Sequence, residues 1–415
     1  MNLETNKITE VIKMLSTNYN ENLLNLQDVF IKKIEKSEKT SKIYIELQVK
    51  EQSCPHCKNK TKYIHSYRKQ KVKDLEAYGL KTILVYNKRR YRCNKCGKCF
   101  NEKNSFLPKY HRMTSRLIET IIDKLRSEVS FTHVAREVNL SVSTVIRIFD
   151  KVNYPKPQMP EVLSIDEFKG NAGGEKYNCI LTDPKTGIVL DVLESRKKYI
   201  LTNYFKDTNK QDVKIFVSDM WESYRDISTV FFKNATQIVD KYHYIRQIMW
   251  ALEDTRKKVQ KQFSKSHRIY FKRSKSLLTK RYEKLTDEQK TQVRIMLDVS
   301  ADLSTAYFMK EEFLNILNIQ DIEKQKKELS DWILWAQDCP IKRFNDCAKT
   351  ITNWYYGIIN SLCLPYTNGF TEGCNNKIKV LKRLAYGYTN FRRFRNRILH
   401  IFSNKNSINI NEVAA

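Results

Sequence analysis

Three acidic residues occupy positions from which their side chains could act on one substrate. Asp166 and Asp219 end two short apolar, β-branched runs, Val162–Asp166 and Val213–Asp219, which are typical of buried strands. Glu372 lies much further along the chain, in a segment with helical character. If these carboxylates converge, each pair at ~4 Å repels by about 4 kcal/mol at an effective dielectric near 20, which favours a divalent cation. The sequence therefore predicts a Mg²⁺ or Mn²⁺ site suited to phosphodiester displacement.

The charge of the chain indicates what such a site would act on. Lys and Arg outnumber Asp and Glu by 75 to 46, and the formal net charge is +29. The excess is clustered, because residues 256–284 hold twelve basic residues and one acid, and residues 373–410 hold no acid. One charged run usually forms a solvated face. Two one-sided runs beside an acid cluster instead indicate that the partner is a polyanion such as nucleic acid.

Composition limits the class of protein. A chain of 415 residues with 41% hydrophobic residues has room for about two to four folded domains. The N-terminus lacks the apolar core of a signal peptide, and no run approaches the length of a membrane span, so we expect a cytoplasmic protein. No phosphate-binding loop of the P-loop type occurs, so no ATP-driven step is expected.

Ten cysteines in a reducing compartment indicate metal binding or buried thiols rather than disulfides. Four of them form two CxxC pairs, which could supply four thiolates to one tetrahedral Zn²⁺. The spacer between the pairs is longer than usual but leaves room for a hairpin, as in a zinc ribbon. His56 and Cys99 are alternative ligands. The predicted structural zinc ligands are Cys54, Cys57, Cys93 and Cys96.

Three short amphipathic helices are predicted between residues 115 and 152, and the last two resemble a helix-turn-helix. Asn139 tolerates the left-handed geometry that the turn needs, and Ser141 can cap the second helix. A generic helical hairpin is the alternative interpretation. In a basic protein with a zinc module, the pattern favours DNA binding by the second helix. Its predicted DNA-facing residues are Ser143, Thr144 and Arg147.

The helix predicted around Glu372 sorts its side chains by face. At helical spacing, the acid shares one face with polar and basic groups able to bind phosphate. The opposite face is apolar and contains Cys374, Ile378, Leu381 and Ala385. The predicted DNA-binding residues of this segment are Asn375, Asn376, Lys377, Lys379 and Arg383.

A second pair of polar residues, Asp240 and His243, follows another predicted strand. The first is either a simple helix cap or a group that supports the chemistry, and the second is either a surface residue or a neighbour of the scissile phosphate. Strands and helices alternate from residue 161 onward, which predicts an α/β core. Residues 242–361 are predicted to be mainly helical.

These blocks together resemble the ISL-three family of bacterial insertion-sequence transposases, a branch of the DDE transposases with an RNase H-like catalytic fold. The resemblance is carried by residues 219–224, 240–243, 372–379 and 382–391, and it covers nearly the whole chain in the family's order. It implies that Asp166, Asp219 and Glu372 are the catalytic, metal-binding acids. Two departures are Lys58, where a glycine is often found, and Cys374, where an aliphatic residue is expected.

The resemblance implies a multidomain α+β protein that moves a DNA element by cut-and-paste transposition. We expect it to bind double-stranded DNA at terminal inverted repeats and to act as a homodimer or larger assembly. A regulator derived from a transposase, without catalysis, is the alternative, and a nuclease without strand transfer is a second one.

The expected parts of the chain are an N-terminal helix and strand (1–53), a zinc-ribbon-like module (54–112), a helix-turn-helix (113–153), a linker (154–160), an RNase H-like α/β core (161–245), an all-α insertion (246–364) and the rest of the core with a basic tail (365–415).

Overall fold

The computed structural model describes residues 24–26 and 28–403, which form two compact units. The first unit contains the described residues up to Tyr154 together with 383–386 and 400–403, and the second contains residues 155–382 and 387–399. The chain first passes from one unit to the other between Tyr154 and Pro155, at the predicted proline-rich linker, and crosses again at three later points. The predicted N-terminal helix and the end of the basic tail lie outside the described residues.

A five-stranded sheet organises the first unit. Its order is β1-β2-β6-β5 with β7 paired to β6, and only the β2–β6 pair is parallel. Alternate residues of β2, such as Ile43 and Ile45, are buried together with Leu84 and Tyr86 of β6. The sheet therefore continues across the boundary predicted between residues 53 and 54, because β2 before the boundary pairs with β6 after it. The strands are β1 (Val29–Lys36), β2 (Thr40–Leu47), β5 (Ile64–Lys73), β6 (Lys81–Arg92) and β7 (Cys99–Asn101), with a small separate pair β3 (Gln52–Ser53) and β4 (Lys60–Thr61).

Three short helices follow the sheet in the first unit, as predicted. Each begins at a hydroxyl residue whose side chain accepts a hydrogen bond from the first turn, namely Thr114, Ser130 and Ser141. Such caps satisfy backbone N–H groups that have no partner inside the helix. The helices are α1 (Ser115–Lys124), α2 (Phe131–Glu137) and α3 (Val142–Phe149).

The second unit contains a mixed sheet of order β10-β9-β8-β11-β12. Strands β8, β11 and β12 are parallel, whereas β9 and β10 are antiparallel to their neighbours. Helices α4 and α5 contribute Leu201, Phe205 and Ile227 to the core that also contains Leu163 and Ile165 of β8. The elements are β8 (Val162–Phe168), β9 (Asn178–Asp183), β10 (Ile188–Leu193), α4 (Lys198–Lys206), β11 (Ile215–Ser218), α5 (Glu222–Phe231) and β12 (Thr236–Val239).

Residues 241–363, all of them described, form helices and turns without a strand, as predicted for 242–361. Their core contains Tyr244, Phe313, Trp332 and Phe344 from four different helices. None of the described helices has the length and apolar character needed to cross a membrane. The helices of this region are α6 (Lys241–Lys261), α7 (Lys265–Arg273), α8 (Lys275–Thr279), a 3₁₀ turn (Tyr282–Lys284), α9 (Asp287–Asp298), α10 (Ala301–Ile316), α11 (Ile322–Gln337), α12 (Lys342–Asn353) and α13 (Tyr355–Cys363). Two further helices come after it, α14 (Gly369–Leu384) and α15 (Phe391–Phe402).

Candidate active site and metal centres

The parallel pairing of β8 and β11 brings Asp166 and Asp219 together. Ser164 is level with Val217 in this pair, and each aspartate lies two residues further along its strand direction. Asp219 directly follows β11, as predicted. Asp166 was predicted at a strand end but lies inside β8, because pairing with β9 extends that strand to Phe168.

Glu167 joins the two aspartates, although the sequence pattern did not predict it as a site residue. Ligand oxygens of Asp166, Glu167 and Asp219 all lie within 4.8 Å of one another. Neighbouring residues of a strand normally face opposite sides, so the pattern of β8 gave no signal for a second acid in the same cluster. The adjacency of two acids at the end of an apolar run was the one available hint.

The cluster is electrostatically unfavourable without a cation. Burial raises the pKa of Asp166 to about 7, and repulsion from Glu167, Asp240 and Glu372 adds to the rise. Burial likewise raises the pKa of Asp219 to about 8, with further repulsion from Glu167 and Asp166. Converging carboxylate oxygens are the ligands that Mg²⁺ and Mn²⁺ prefer. The residues present therefore fit a divalent cation.

The helix that carries Glu372 is fastened to the sheet through buried hydroxyl groups. Thr371 Oγ1 lies 2.7 Å from Thr182 Oγ1 and 3.0 Å from Ser164 Oγ. The Ser164 hydroxyl donates to Asn368 Oδ1 at 2.6 Å, so the segment that starts α14 is tied to β8 two residues before Asp166. Glu372 itself is exposed. Its carboxylate is outside the 4.8 Å cluster but close enough to raise the pKa of Asp166.

Asp240 contacts the loop before the Glu372 helix, a contact that was predicted neither by its interpretation as a helix cap nor by its interpretation as a group that supports the chemistry. It stands at the N-cap position of α6, yet its side chain makes no capping hydrogen bond to that helix. Asp240 Oδ1 instead accepts a hydrogen bond from the backbone N–H of Asn368 at 3.1 Å. The carboxylate thereby holds the loop that leads into the Glu372 helix.

His243 lies one turn into α6, close to the same acids. Arg246 donates to His243 Nδ1 at 3.2 Å. Burial lowers the pKa of His243 and Arg246 lowers it further, while Asp240 and Glu372 act in the opposite direction. The imidazole is therefore within electrostatic range of Glu372 and is biased toward its neutral form.

The structure assigns Asn375 a contact different from the predicted one. Its side chain is buried, and Nδ2 donates to Asp166 Oδ2 at 2.9 Å, so it faces the acids rather than DNA. Its Oδ1 is buried without a hydrogen-bond partner among the described residues. The buried face of α14 also includes Thr371, Cys374, Ile378 and Leu381. Of the other predicted DNA contacts on α14, Lys377 is half-buried and the exposed ones are Asn376, Lys379 and Arg383.

The four predicted zinc ligands converge in the first unit. Cys54 Sγ lies 3.7 Å from Cys96 Sγ, and Cys57 Sγ lies 3.4 Å from Cys93 Sγ. All four sulfurs lie within 4.8 Å of one another. Zn–S bonds of ~2.3 Å in a tetrahedron require sulfurs roughly 3.8 Å apart, so the cluster fits Zn²⁺. In the part of the chain that is described, neither alternative ligand, His56 or Cys99, belongs to the group.

The helix-turn-helix has the local geometry that its residues predict. Asn139 adopts a φ of +53° in the turn, and the Ser141 hydroxyl accepts from the N–H of Thr144 at 3.3 Å. On α3, Ser143 and Arg147 are exposed and Thr144 is half-buried. Two of the three predicted DNA-facing side chains are therefore exposed.

Part of the basic excess is structural. Arg256, inside the 256–284 run, is buried and pairs with Glu253 at 2.7 Å. Arg395, in the acid-free C-terminal run, pairs with the buried Asp191 at 2.5 Å. The charges of Arg256 and Arg395 are neutralised by acids within the second unit, so these two residues are not available to bind a polyanion.

Comparison with known proteins identifies the family. A family model described as a transposase, that of the ISL3 transposases, matches residues 163–398, which is more than half of the chain and contains all the acids described above. The chain belongs to the ISL3 family of transposases. The zinc-finger model of the transposases of IS204, IS1001, IS1096 and IS1165 matches residues 50–96, and the ISL3 helix-turn-helix model matches residues 102–153. The predicted resemblance is thus confirmed, together with a zinc module and a helix-turn-helix that support DNA binding.

Two of the individual relatives are named as transposases. The transposase for insertion sequence element IS1001 of Bordetella parapertussis is 26% identical over 390 residues, covering 90% of this chain and 95% of that one. The transposase for insertion sequence element IS1557 of Mycobacterium tuberculosis is 32% identical over 111 residues, or 27% of this chain and 25% of that one. A Lactococcus lactis protein named as an ATP-dependent protease is 31% identical over 104 residues, or 25% of this chain and 32% of that one.

Proposed function

We propose that this ISL3 transposase binds the terminal inverted repeats of its insertion sequence and moves the element by cut-and-paste. The observation that carries the proposal is the convergence of Asp166 and Asp219 at neighbouring parallel strands, with Glu372 held beside them. In this proposal the sheet and α14 form an RNase H-like core, residues 161–245 and 365–415. The helical residues 246–364 are an all-α insertion in that core.

The catalytic acids are Asp166, Asp219 and Glu372, and Glu167 is an additional ligand candidate. Two Mg²⁺ or Mn²⁺ ions, when bound, supply an activated water and stabilise the attacking and leaving oxygens of in-line displacement. The protein's own groups hold the acids for this task. Asn375 fixes one oxygen of Asp166, and Asp240 fixes the loop before Glu372. His243 lies close to the scissile phosphate in this arrangement.

DNA is recognised by separate parts of the chain. The zinc module and the helix-turn-helix contact the terminal repeat, with Ser143, Thr144 and Arg147 reaching phosphates or base edges. The exposed Asn376, Lys379 and Arg383 of α14, together with the half-buried Lys377, contact the backbone beside the cleavage site. Joining both ends to one target requires two active sites, so the working form is a homodimer or larger assembly. It acts in the cytoplasm on chromosomal and element DNA.

The test is cleavage and joining of DNA that carries the two ends flanking the protein's own gene. Wild type, Asp219→Asn and Glu372→Gln are incubated with Mg²⁺, and binding to the ends is measured in parallel by gel shift. Asp331→Asn, at an exposed position on α11, is the control. We expect joined products from wild type and the control, and end binding without cleavage from both site variants.

Other outcomes would replace the proposal. Specific binding without cleavage by wild type, in Mg²⁺ and in Mn²⁺, would assign a regulator. Cleavage without joined products would assign a nuclease. Cleavage by Asp219→Asn at the wild-type rate would remove that residue from the site.

A further inference from the structure

A cavity of about 390 Å³ lies beside the carboxylate cluster in the second unit. The residues that line it include Tyr177, Arg196, Lys197, Lys198 and Trp221. We call it the aromatic pocket. The backbone N–H of Trp221 donates to Asp219 Oδ1 at 3.1 Å, so one wall of the aromatic pocket is attached directly to a catalytic aspartate.

A single guanidinium joins the aromatic pocket to the acids. Arg196 donates to Glu167 Oε1 at 2.8 Å. Its guanidinium carbon also lies 4.2 Å from the ring centroid of Trp221 and 4.5 Å from that of Tyr177. These are stacking distances for a cation on an aromatic face. A group stacked in the aromatic pocket would therefore lie next to a phosphate held at the carboxylate cluster.

The surfaces of the aromatic pocket suit a nucleobase. Aromatic rings and arginine planes are the platforms on which unpaired bases stack in nucleic-acid-binding proteins. Arg196 covers one face of the Trp221 indole, but 40% of the residue surface is exposed, so part of the ring remains accessible to a ligand. Lys197 and Lys198 make surface ion pairs with Glu175 and Asp226. Such pairs are weak, so these lysines can exchange their partners for a DNA phosphate.

We propose that the aromatic pocket holds an unpaired base of the DNA strand adjacent to the scissile phosphate, stacked on the exposed part of Trp221. This inference rests on the proposed transposition activity, because it assigns a substrate contact at the same site. A base inside a duplex cannot reach such a pocket, so the element end must unpair locally. Unpairing then becomes part of selecting the position of the cut.

Photocrosslinking tests the contact without requiring catalysis. The probe is duplex DNA of one element end, with 5-iododeoxyuridine replacing single thymines on either side of the cleavage position. Protein and probe are irradiated without divalent cations, and the crosslinked peptide is identified by mass spectrometry. We expect one probe position to crosslink to Trp221 or Tyr177. Trp335, which is 41% exposed on α11, provides the matched control. Trp221→Ala should lower the yield about tenfold, and Trp335→Ala should not change it.

Cleavage of abasic DNA tests the consequence. Removing the base at the crosslinking position should slow wild-type cleavage about tenfold and should not slow Trp221→Ala further, because both changes remove the same stacking contact. Trp221→Phe should recover most of the wild-type rate, and melting temperatures establish that each variant is folded.

The failure of this proposal is distinct from failure of the proposed function. A wild-type protein that neither binds nor cleaves the ends would overturn transposition, and the pocket proposal with it. A wild-type protein that cleaves and joins the ends, without a crosslink and with Trp221→Ala equally active, would overturn the pocket proposal alone.

Discussion

Glu167 shows how one unpredicted side chain alters the chemistry of the site. It lies within 4.8 Å of both aspartates and is paired with Arg196. Its charge contributes to the raised pKa values of Asp166 and Asp219. A third carboxylate increases the repulsion in the bare cluster and also adds an oxygen ligand for a cation.

Replacing Glu167 by Gln should weaken metal binding more than DNA binding. The loss of one anionic ligand or neighbour should raise the Mg²⁺ concentration needed for half-maximal cleavage by roughly tenfold. Cleavage is measured across a Mg²⁺ titration, with gel-shift affinity for the element end as the parallel readout. Asp331→Asn should leave both unchanged. An unaltered Mg²⁺ dependence in Glu167→Gln would place that carboxylate outside the metal site.

The raised aspartate pKa values predict how the metal-free protein responds to pH. The pKa of Asp219 rises from an ordinary 3.8 to about 8 in the folded state. Between these values the folded state binds more protons than the unfolded state, so this group lowers stability progressively as pH increases. Below the unfolded pKa the effect vanishes, and above the folded pKa it is complete.

Asp219→Asn should therefore stabilise the metal-free protein, and more so at alkaline pH. The variant's gain in melting temperature over wild type should be larger at about pH 8.5 than at about pH 5.5, measured in EDTA by calorimetry. Asp331→Asn should show no such trend, because its side chain is exposed. An equal gain at both pH values would contradict the assigned burial effect.

At the scale of elements, α14 shows what helical periodicity can and cannot define. Spacing alone correctly separated Cys374, Ile378 and Leu381 from the exposed Asn376 and Lys379, whereas Ala385, predicted on the apolar face, lies beyond the end of the helix. It could not place the border between these faces, where Asn375 turns inward to Asp166. That border depends on how the helix packs against β8 and β9, which lie far away in the sequence.

The two zinc knuckles are local elements with equivalent backbone turns. Lys58 and Gly97 each follow the second cysteine of a CxxC pair and have φ values of +60° and +68°. The N–H of each donates to the carbonyl of the first cysteine at 2.9 Å. The lysine thus adopts the left-handed geometry that glycine adopts without steric cost.

Gly97→Ala should weaken the zinc module through backbone strain alone. A Cβ at this position would meet no atom within 4 Å, so the cost is that of a left-handed backbone, about 1–2 kcal/mol. Zinc affinity, measured by competition with a chelator, should fall roughly 5- to 30-fold. Lys58→Gly relieves the same strain and should bind zinc at least as well as wild type. Undiminished affinity in Gly97→Ala would show that the knuckle relaxes.

At the scale of the whole molecule, a net charge of +29 predicts strongly salt-dependent DNA binding even though some arginines are paired internally. With about eight phosphate contacts, a fourfold increase in salt should weaken binding by about four orders of magnitude. Binding is measured by fluorescence anisotropy on an element end over a series of salt concentrations. A nearly flat response of affinity to salt would contradict an extended basic footprint.

Arg147→Ala should reduce the slope of log affinity against log salt by about one if the Arg147 side chain contacts a phosphate.

The amino-acid sequence by itself determined the zinc cysteines, the capped helices of the helix-turn-helix and the transposase family. Each depends on spacing, turn chemistry or motifs within short stretches, where neighbouring residues dictate the local geometry. The position of Asp219 at the end of a strand was likewise predicted from a short stretch of sequence. The approach of Asp219 to Asp166, in contrast, depends on the parallel pairing of β8 with β11.

Only the tertiary structure decided which side chains complete the site. Glu167 beside the aspartates, Asn375 on Asp166 and Asp240 on the loop before α14 are contacts set by the packing of separate elements. Arg196 between Tyr177 and Trp221 is another. These arrangements depend on register, twist and close packing over long separations in the chain, and a one-dimensional pattern of polarity does not specify them.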